Sequence, residues 1–174
     1  MNLTIKTLTD LGACTKGLEW FKLYYGNKPV TVENTIRRLM SEHRWDWANW
    51  LLPRMLSRRD ALRYALYAVQ PIINNFYHHS DDPRPRNSVT RAILLLTHER
   101  PDTIKEADDA AYAASWVCGG AACVGWSASA PDHRGRAHFA EATANHALHV
   151  YDDDSAEGFK QNIIEFGLSY LTQE

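Results

Sequence analysis

Apolar positions recur at intervals of three and four along most of the chain, and no run of alternating β-branched residues stands between turn signals. That spacing belongs to helices that each bury one face, and it leaves no candidate for a substantial sheet. Leu18, Phe21 and Tyr25 share a face between Thr15, placed to cap, and Gly26, placed to end the helix in a left-handed turn. Thr7 to Gly12 has similar signals and predicts a single preceding turn. Thr31 is placed to cap a helix with Val32, Ile36, Leu39 and Met40 inward. Trp47, Trp50 and Leu51 mark the next helix, where Pro53 is expected as a break or as the opening of the following turn.

After Ser57, the stripe Leu62, Ala65, Leu66, Val69, Ile72, Ile73 and Phe76 predicts a central helix, with a kink or a split at Pro71. Asp81-Asp82-Pro83-Arg84-Pro85-Arg86 reads as a stiff connector, because each proline restricts both itself and the residue before it. A helix with Val89, Ala92, Ile93 and Leu96 inward then stops near Pro101. Ile104, Ala107, Ala111, Ala114 and Cys118 form a small-residue face that allows close helix approach, and Gly119-Gly120 is expected to end or kink that helix. Ala140, Ala144, Leu148 and Tyr151 share one side of another helix, and Phe159, Ile163, Phe166 and Tyr170 stripe a last one capped by Ser155. The expected fold is all-α: a compact single-domain bundle of about seven or eight helices, mostly antiparallel neighbours. Residues 1–44 read as leader helices, 45–151 as the core and 155–172 as a C-terminal docking helix.

Composition changes this picture little. The 174 residues suffice for one core, and six Trp and eight Tyr supply aromatics for a core or an interface. A net charge of −2 with dispersed Lys and Arg gives no field for phosphate backbones. Cys14, Cys118 and Cys123 are an odd, unpaired set expected to be buried and unreactive. With no basic leader and no apolar stretch suited to a membrane, a cytoplasmic protein is expected.

Candidate chemistry is sparse. His138, His146 and His149 lie at helical spacings beside Asp152 and Asp153, but recognised metal signatures are missing, and neither a metal nor a cofactor is expected. His78-His79 beside Asp81-Asp82 could serve as an acid/base group, or simply form a polar helix end. Phosphate loops and nucleophile elbows are absent from the sequence. Arg54, Arg58, Arg59 and Arg63 are the basis for a nucleic-acid reading, against which solvated or paired arginines weigh. Arg84 and Arg86 could clamp a carboxylate or phosphate, or pair internally with Asp81, Asp82 or the group Glu106, Asp108 and Asp109.

Asp82-Pro83-Arg84-Pro85-Arg86, then Ala107-Asp108-Asp109-Ala110-Ala111-Tyr112-Ala113-Ala114, then Ala142-Thr143-Ala144 and His146-Ala147-Leu148 together resemble the immunity protein family of bacterial polymorphic toxin systems, in a phage or prophage type of variant. The similarity covers roughly Trp45 to Tyr151, and Asn145 stands where the family often has a histidine. The resemblance implies an all-α fold, no catalytic residues, and neutralisation of a toxin or effector protein by direct binding. The alternative is a phage-encoded anti-defence inhibitor of a host immune complex, such as an anti-CRISPR. Further alternatives are a small metal-dependent enzyme and a nucleic-acid-binding module. For the binder, Arg84, Arg86, Trp45, Trp47 and Trp126 are the expected recognition residues, since Trp, Tyr and Arg dominate interface energetics. A protein partner is expected and a membrane is not; a homodimer is left open.

Overall fold

A computed structural model describes residues 1–148 and 156–171, which form ten helices and one two-stranded ladder. The ladder is antiparallel, β1 (Asn2–Leu3) with β2 (Val30–Thr31), and pairs Asn2 with Thr31 and Leu3 with Val30. Between its strands run α1 (Ile5–Asp10) and α2 (Thr15–Tyr25). Then follow α3 (Val32–Ser41), α4 (Trp45–Met55), α5 (Arg58–Tyr77), α6 (Arg84–Leu95) and α7 (Pro101–Ser115). The described elements end with α8 (Gly119–Ser129), α9 (His133–Leu148) and α10 (Ala156–Leu171). None of the described helices is long and apolar enough to cross a membrane.

Several boundaries follow the expected capping chemistry. Thr31 Oγ accepts from the Asn34 amide at 3.2 Å as expected, and Ser57, not singled out as a cap in the sequence, accepts from the Asp60 amide through Oγ at 3.2 Å. Gly26 closes α2 with φ 60°. At the end of α3 the left-handed residue is His43, φ 56°, whose amide bonds Met40 O at 2.9 Å while that of Arg44 bonds Leu39 O at 2.9 Å. That is the paired closure normally made with glycine. The cap before α2 is Cys14, without a side-chain bond, so Thr15 opens the helix and does not cap it.

The helix count exceeds seven or eight for identifiable reasons. The N-terminal turn is a formed helix capped by Thr4, and Gly119-Gly120 opens an independent α8. Pro53 does not break α4, which runs on to Met55, and α5 continues through Pro71 as one twenty-residue run. Both prolines are buried, so packing holds helix where proline has no N–H to give. The stiff connector is shorter than expected: Pro83 caps α6, and Arg84, Pro85 and Arg86 form its first turn, where a missing proline N–H costs nothing.

The α5 helix lies at the centre, packed on α9, α8, α10, α4 and α6. Leu62, Ala65, Leu66, Val69 and Ile72 are buried as its stripe predicts. Helix α8 sits against α6, α7, α9 and α5, and all its residues from Gly120 to Gly125 are buried. Small residues make this possible: Ala107, Ala111 and Ala114 of α7 and Ala140, Ala144 and Ala147 of α9 are fully buried. The C-terminal helix α10 docks on α5 and α4 through Ile163, Ile164 and Leu168, and Phe166 stacks on Tyr67 at 4.0 Å. Ser155, Tyr151 and His149 lie outside the described residues.

Candidate functional site

Helices α6 and α7 run antiparallel across a short turn, tied by Arg91 to Glu106 at 2.7 Å. Between them lies an open groove of about 600 Å³, with Arg84, Arg91 and Leu94 on one wall and Glu106, Asp109 and Ala113 on the other. The buried stripe of α7 faces α8, so the positions opposite it project outward. Those positions hold Tyr112 and Trp116, 62% and 72% exposed, packed edge to face at 6.2 Å. The antiparallel arrangement brings Arg84 to the same end of the groove as Ala113, which lies between these two aromatics in sequence. Ile93 of α6, expected to face inward, is exposed, as is Leu94, and Leu95 is buried with Val89 and Ala92 in its place.

The Asp-Pro-Arg-Pro-Arg segment is held by its own groups. Asp82 receives the Arg84 amide at 3.0 Å and its guanidinium at 2.5–3.0 Å. Tyr77 Oη donates to Asp82 O at 3.1 Å and accepts from the Arg86 amide at 3.2 Å, and the Arg86 guanidinium lies 4.4 Å from the Tyr77 ring centre. Arg84 is thus satisfied by Asp82, and not by Glu106, Asp108 or Asp109. Its guanidinium, and then its backbone N–H, hold the Asp82 carboxyl at about 2. Because the folded value is depressed, the stabilisation is present above the usual carboxylate range near about 4 and is lost as pH falls through the folded value. An NMR titration should place the Asp82 midpoint close to 2, and Arg84→Ala should return it to the ordinary range. A wild-type midpoint in the ordinary range would mean that the pair does not form.

The predicted tryptophans are half-buried and serve different places. Trp45 lies edge-on to His43 at 6.2 Å and borders a groove against α10. Trp126 packs on Phe139 at 5.6 Å. Trp47 meets Trp20 at 6.2 Å, carries Arg44 on one face, and lines a cavity of about 370 Å³ between the N-terminal helices and the α4–α9 pair. Arg84, Trp45 and Trp47 therefore border three different concavities, and they do not form one patch. The exposed aromatics Tyr112 and Trp116 were not singled out in the sequence. The available signal was their position opposite the alanine stripe of α7.

Behind that cavity, Asn49 is fully buried and joins α4, α5 and α9. Its amide N–H₂ donates to Glu141 O at 3.1 Å and to Asn145 Oδ1 at 2.6 Å, and its Oδ1 accepts from Tyr64 Oη at 2.8 Å. Burial pushes the Tyr64 hydroxyl pKa up. Asn145 is thus a member of a structural network.

The other expected chemistry is dispersed. His78, His79, His138 and His146 are exposed, and His146 Nδ1 lies 2.8 Å from Ala142 O on its own helix. No group of three or more His, Cys, Asp or Glu side chains suited to a metal occurs among the described residues. Cys118 and Cys123 are buried, with the Cys123 thiol pushed by burial up to about 11, whereas Cys14 is exposed, contrary to expectation. Its position at the start of α2, on the cavity wall, keeps it at the surface. Of the four arginines behind the nucleic-acid reading, Arg54 pairs with Glu141, Arg58 with Glu99 and Arg63 with Asp60.

The fold and these surfaces define an all-α domain with an open groove between α6 and α7 and a half-open, aromatic-walled cavity at the N-terminal helices. No protein-family model matches the chain, and neither a curated protein nor a solved structure matches it.

Proposed function

We propose that this domain is a non-catalytic helical binding protein that neutralises a toxin or effector protein by direct contact, through the outer face of α6 and α7. The observation that carries the reading is the exposed Tyr112–Trp116 pair at the C-terminal end of α7, the helix that also forms one wall of the groove lined by Arg84 and Arg91. An indole 72% open to water contributes little to its own fold, and Trp, Tyr and Arg are the residue types that dominate binding energy once a partner covers them. The alanine-rich packing of α7, α8 and α9 supports the reading too, since it makes a rigid platform that meets a partner with little ordering cost. Of the histidines that an enzyme would need, the described His78, His79, His138 and His146 line none of the three concavities, although His43 stands on the wall of the groove against α10.

The test is capture of a host or neighbour-encoded protein by the purified chain, compared with Trp116→Ala. The variant is expected to keep the wild-type melting temperature and to bind the captured protein about thirtyfold more weakly, as a hot-spot truncation of about 2 kcal/mol requires. Equal binding by variant and wild type would overturn the assignment of this face. The identity of the captured protein separates toxin neutralisation from inhibition of a host defence complex.

A further inference from the structure

We propose that the cavity between the N-terminal helices and the α4–α9 pair is a binding site for a small organic cation, an ammonium or guanidinium group carried on a flat apolar body. Its volume of about 370 Å³ falls in the range of small-molecule sites. Trp20, Trp47 and Trp50 give it aromatic walls, and its charged lining is Asp46 and Glu141, with no Lys, Arg or His among the lining residues. The nearby arginines are already paired: Arg44 with Glu42 and one face of Trp47, and Arg54 with one oxygen of the lining Glu141 and with the Trp50 ring. Asp46 has no hydrogen bond or ion pair from the described residues, and Glu141 gives Arg54 one of its two oxygens.

This combination selects the ligand by charge. An anion would meet the Asp46 carboxylate and the second oxygen of Glu141, whose first oxygen is taken by Arg54. A neutral apolar molecule would strip water from Asp46 and Glu141 and give nothing back. A cation on an aromatic or aliphatic body satisfies the carboxylates and meets the indoles, whose π faces favour positive charge. Space for it depends on Gly17, on the cavity wall of α2: a Cβ added there would touch only Cys14 Sγ, at 3.6 Å. Because Gly17 and Cys14 are both lining residues, a larger side chain at position 17 is expected to take up cavity space, and removing a helical glycine favours the helix.

The experiment titrates the full chain with phenethylammonium, with phenethyl alcohol as the neutral analogue and hydrocinnamate as the anionic one, following the indole N–H resonances of Trp20, Trp47 and Trp50 by NMR. Phenethylammonium is expected to bind about tenfold tighter than the alcohol, with hydrocinnamate moving none of the three. Asp46→Asn, at an exposed carboxylate that the fold does not use, should cut that preference by about threefold. Gly17→Leu should abolish binding of both. Indoles that do not respond to the ammonium, equal affinity for the alcohol, or responses that survive Gly17→Leu would each overturn the proposal.

Discussion

Gly125→Ala is expected to destabilise the fold by about 3 kcal/mol, the upper part of the usual cost of inserting a methyl group into a packed core. Gly125 lies on α8 where α6 and α7 both close on it. A Cβ there would stand 2.6 Å from Ala111 Cβ, 2.6 Å from Ser88 Oγ and 3.2 Å from the Ala107 carbonyl oxygen. None of these can swing aside, because Ala111 Cβ and the Ala107 carbonyl belong to the backbone frame of α7. Ser88 is itself held by its bond to Ala121 O at 2.8 Å. The helices must separate, and the small-residue contacts along both seams loosen together. A fall in melting temperature of about 6–12 °C should follow for a chain of this size. Gly158→Ala is the control: it lies on exposed α10 surface where an added Cβ meets nothing, so helix propensity should leave stability unchanged or raise it by about 0.5–1 kcal/mol. If Gly125→Ala melts with the wild type, the close approach of α6, α7 and α8 is wrong.

Asn49→Leu should cost a similar amount, about 3 kcal/mol, by a different route. Leucine has the same heavy-atom branching though larger terminal groups, and the Tyr64 hydroxyl, fully buried, loses its acceptor while Asn145 and the Glu141 carbonyl lose their donor. An orphaned buried polar group costs about 1–3 kcal/mol, more than the net worth of the bond it had. Tyr64→Phe alone should cost only about 1 kcal/mol, and adding it to Asn49→Leu should recover part of the loss, because no hydroxyl is then stranded. Urea unfolding of both single variants and the double variant measures this coupling. Strict additivity would show that the Tyr64–Asn49 bond carries no such energy.

Both variants bear on what could be foreseen. The alanine stripe of α7 announced close helix approach, but not that Gly125 is the residue on which three helices meet. Asn49 lies one residue before Trp50, and nothing in its local pattern separates it from a solvent-facing asparagine. Its role comes from partners fifteen and ninety-six residues away. The candidate surfaces divide in the same way. Arg84 was readable as internally paired because Asp82 is its near neighbour in sequence. The scatter of Trp45, Trp47 and Trp126 over separate places depends on how α4 and α8 are set in the bundle, and the aromatic cavity joins residues of five helices.

The sequence by itself determined that this chain is helical, which face of α3 and of α5 turns inward, and where Thr31 and Gly26 start and stop helices, because those preferences act over one or two turns of backbone. It also determined that alanine would let helices pack closely. Only the tertiary structure decided that α4 and α5 run through their prolines, that Gly119-Gly120 begins a helix instead of ending one, and that Cys14 is exposed while Cys118 and Cys123 are not. It also decided that Tyr112 and Trp116 stand in water while Trp20, Trp47 and Trp50 line a cavity. These outcomes depend on which helix covers which face, and the free energy of burial that sets them is summed over contacts between segments far apart in the chain.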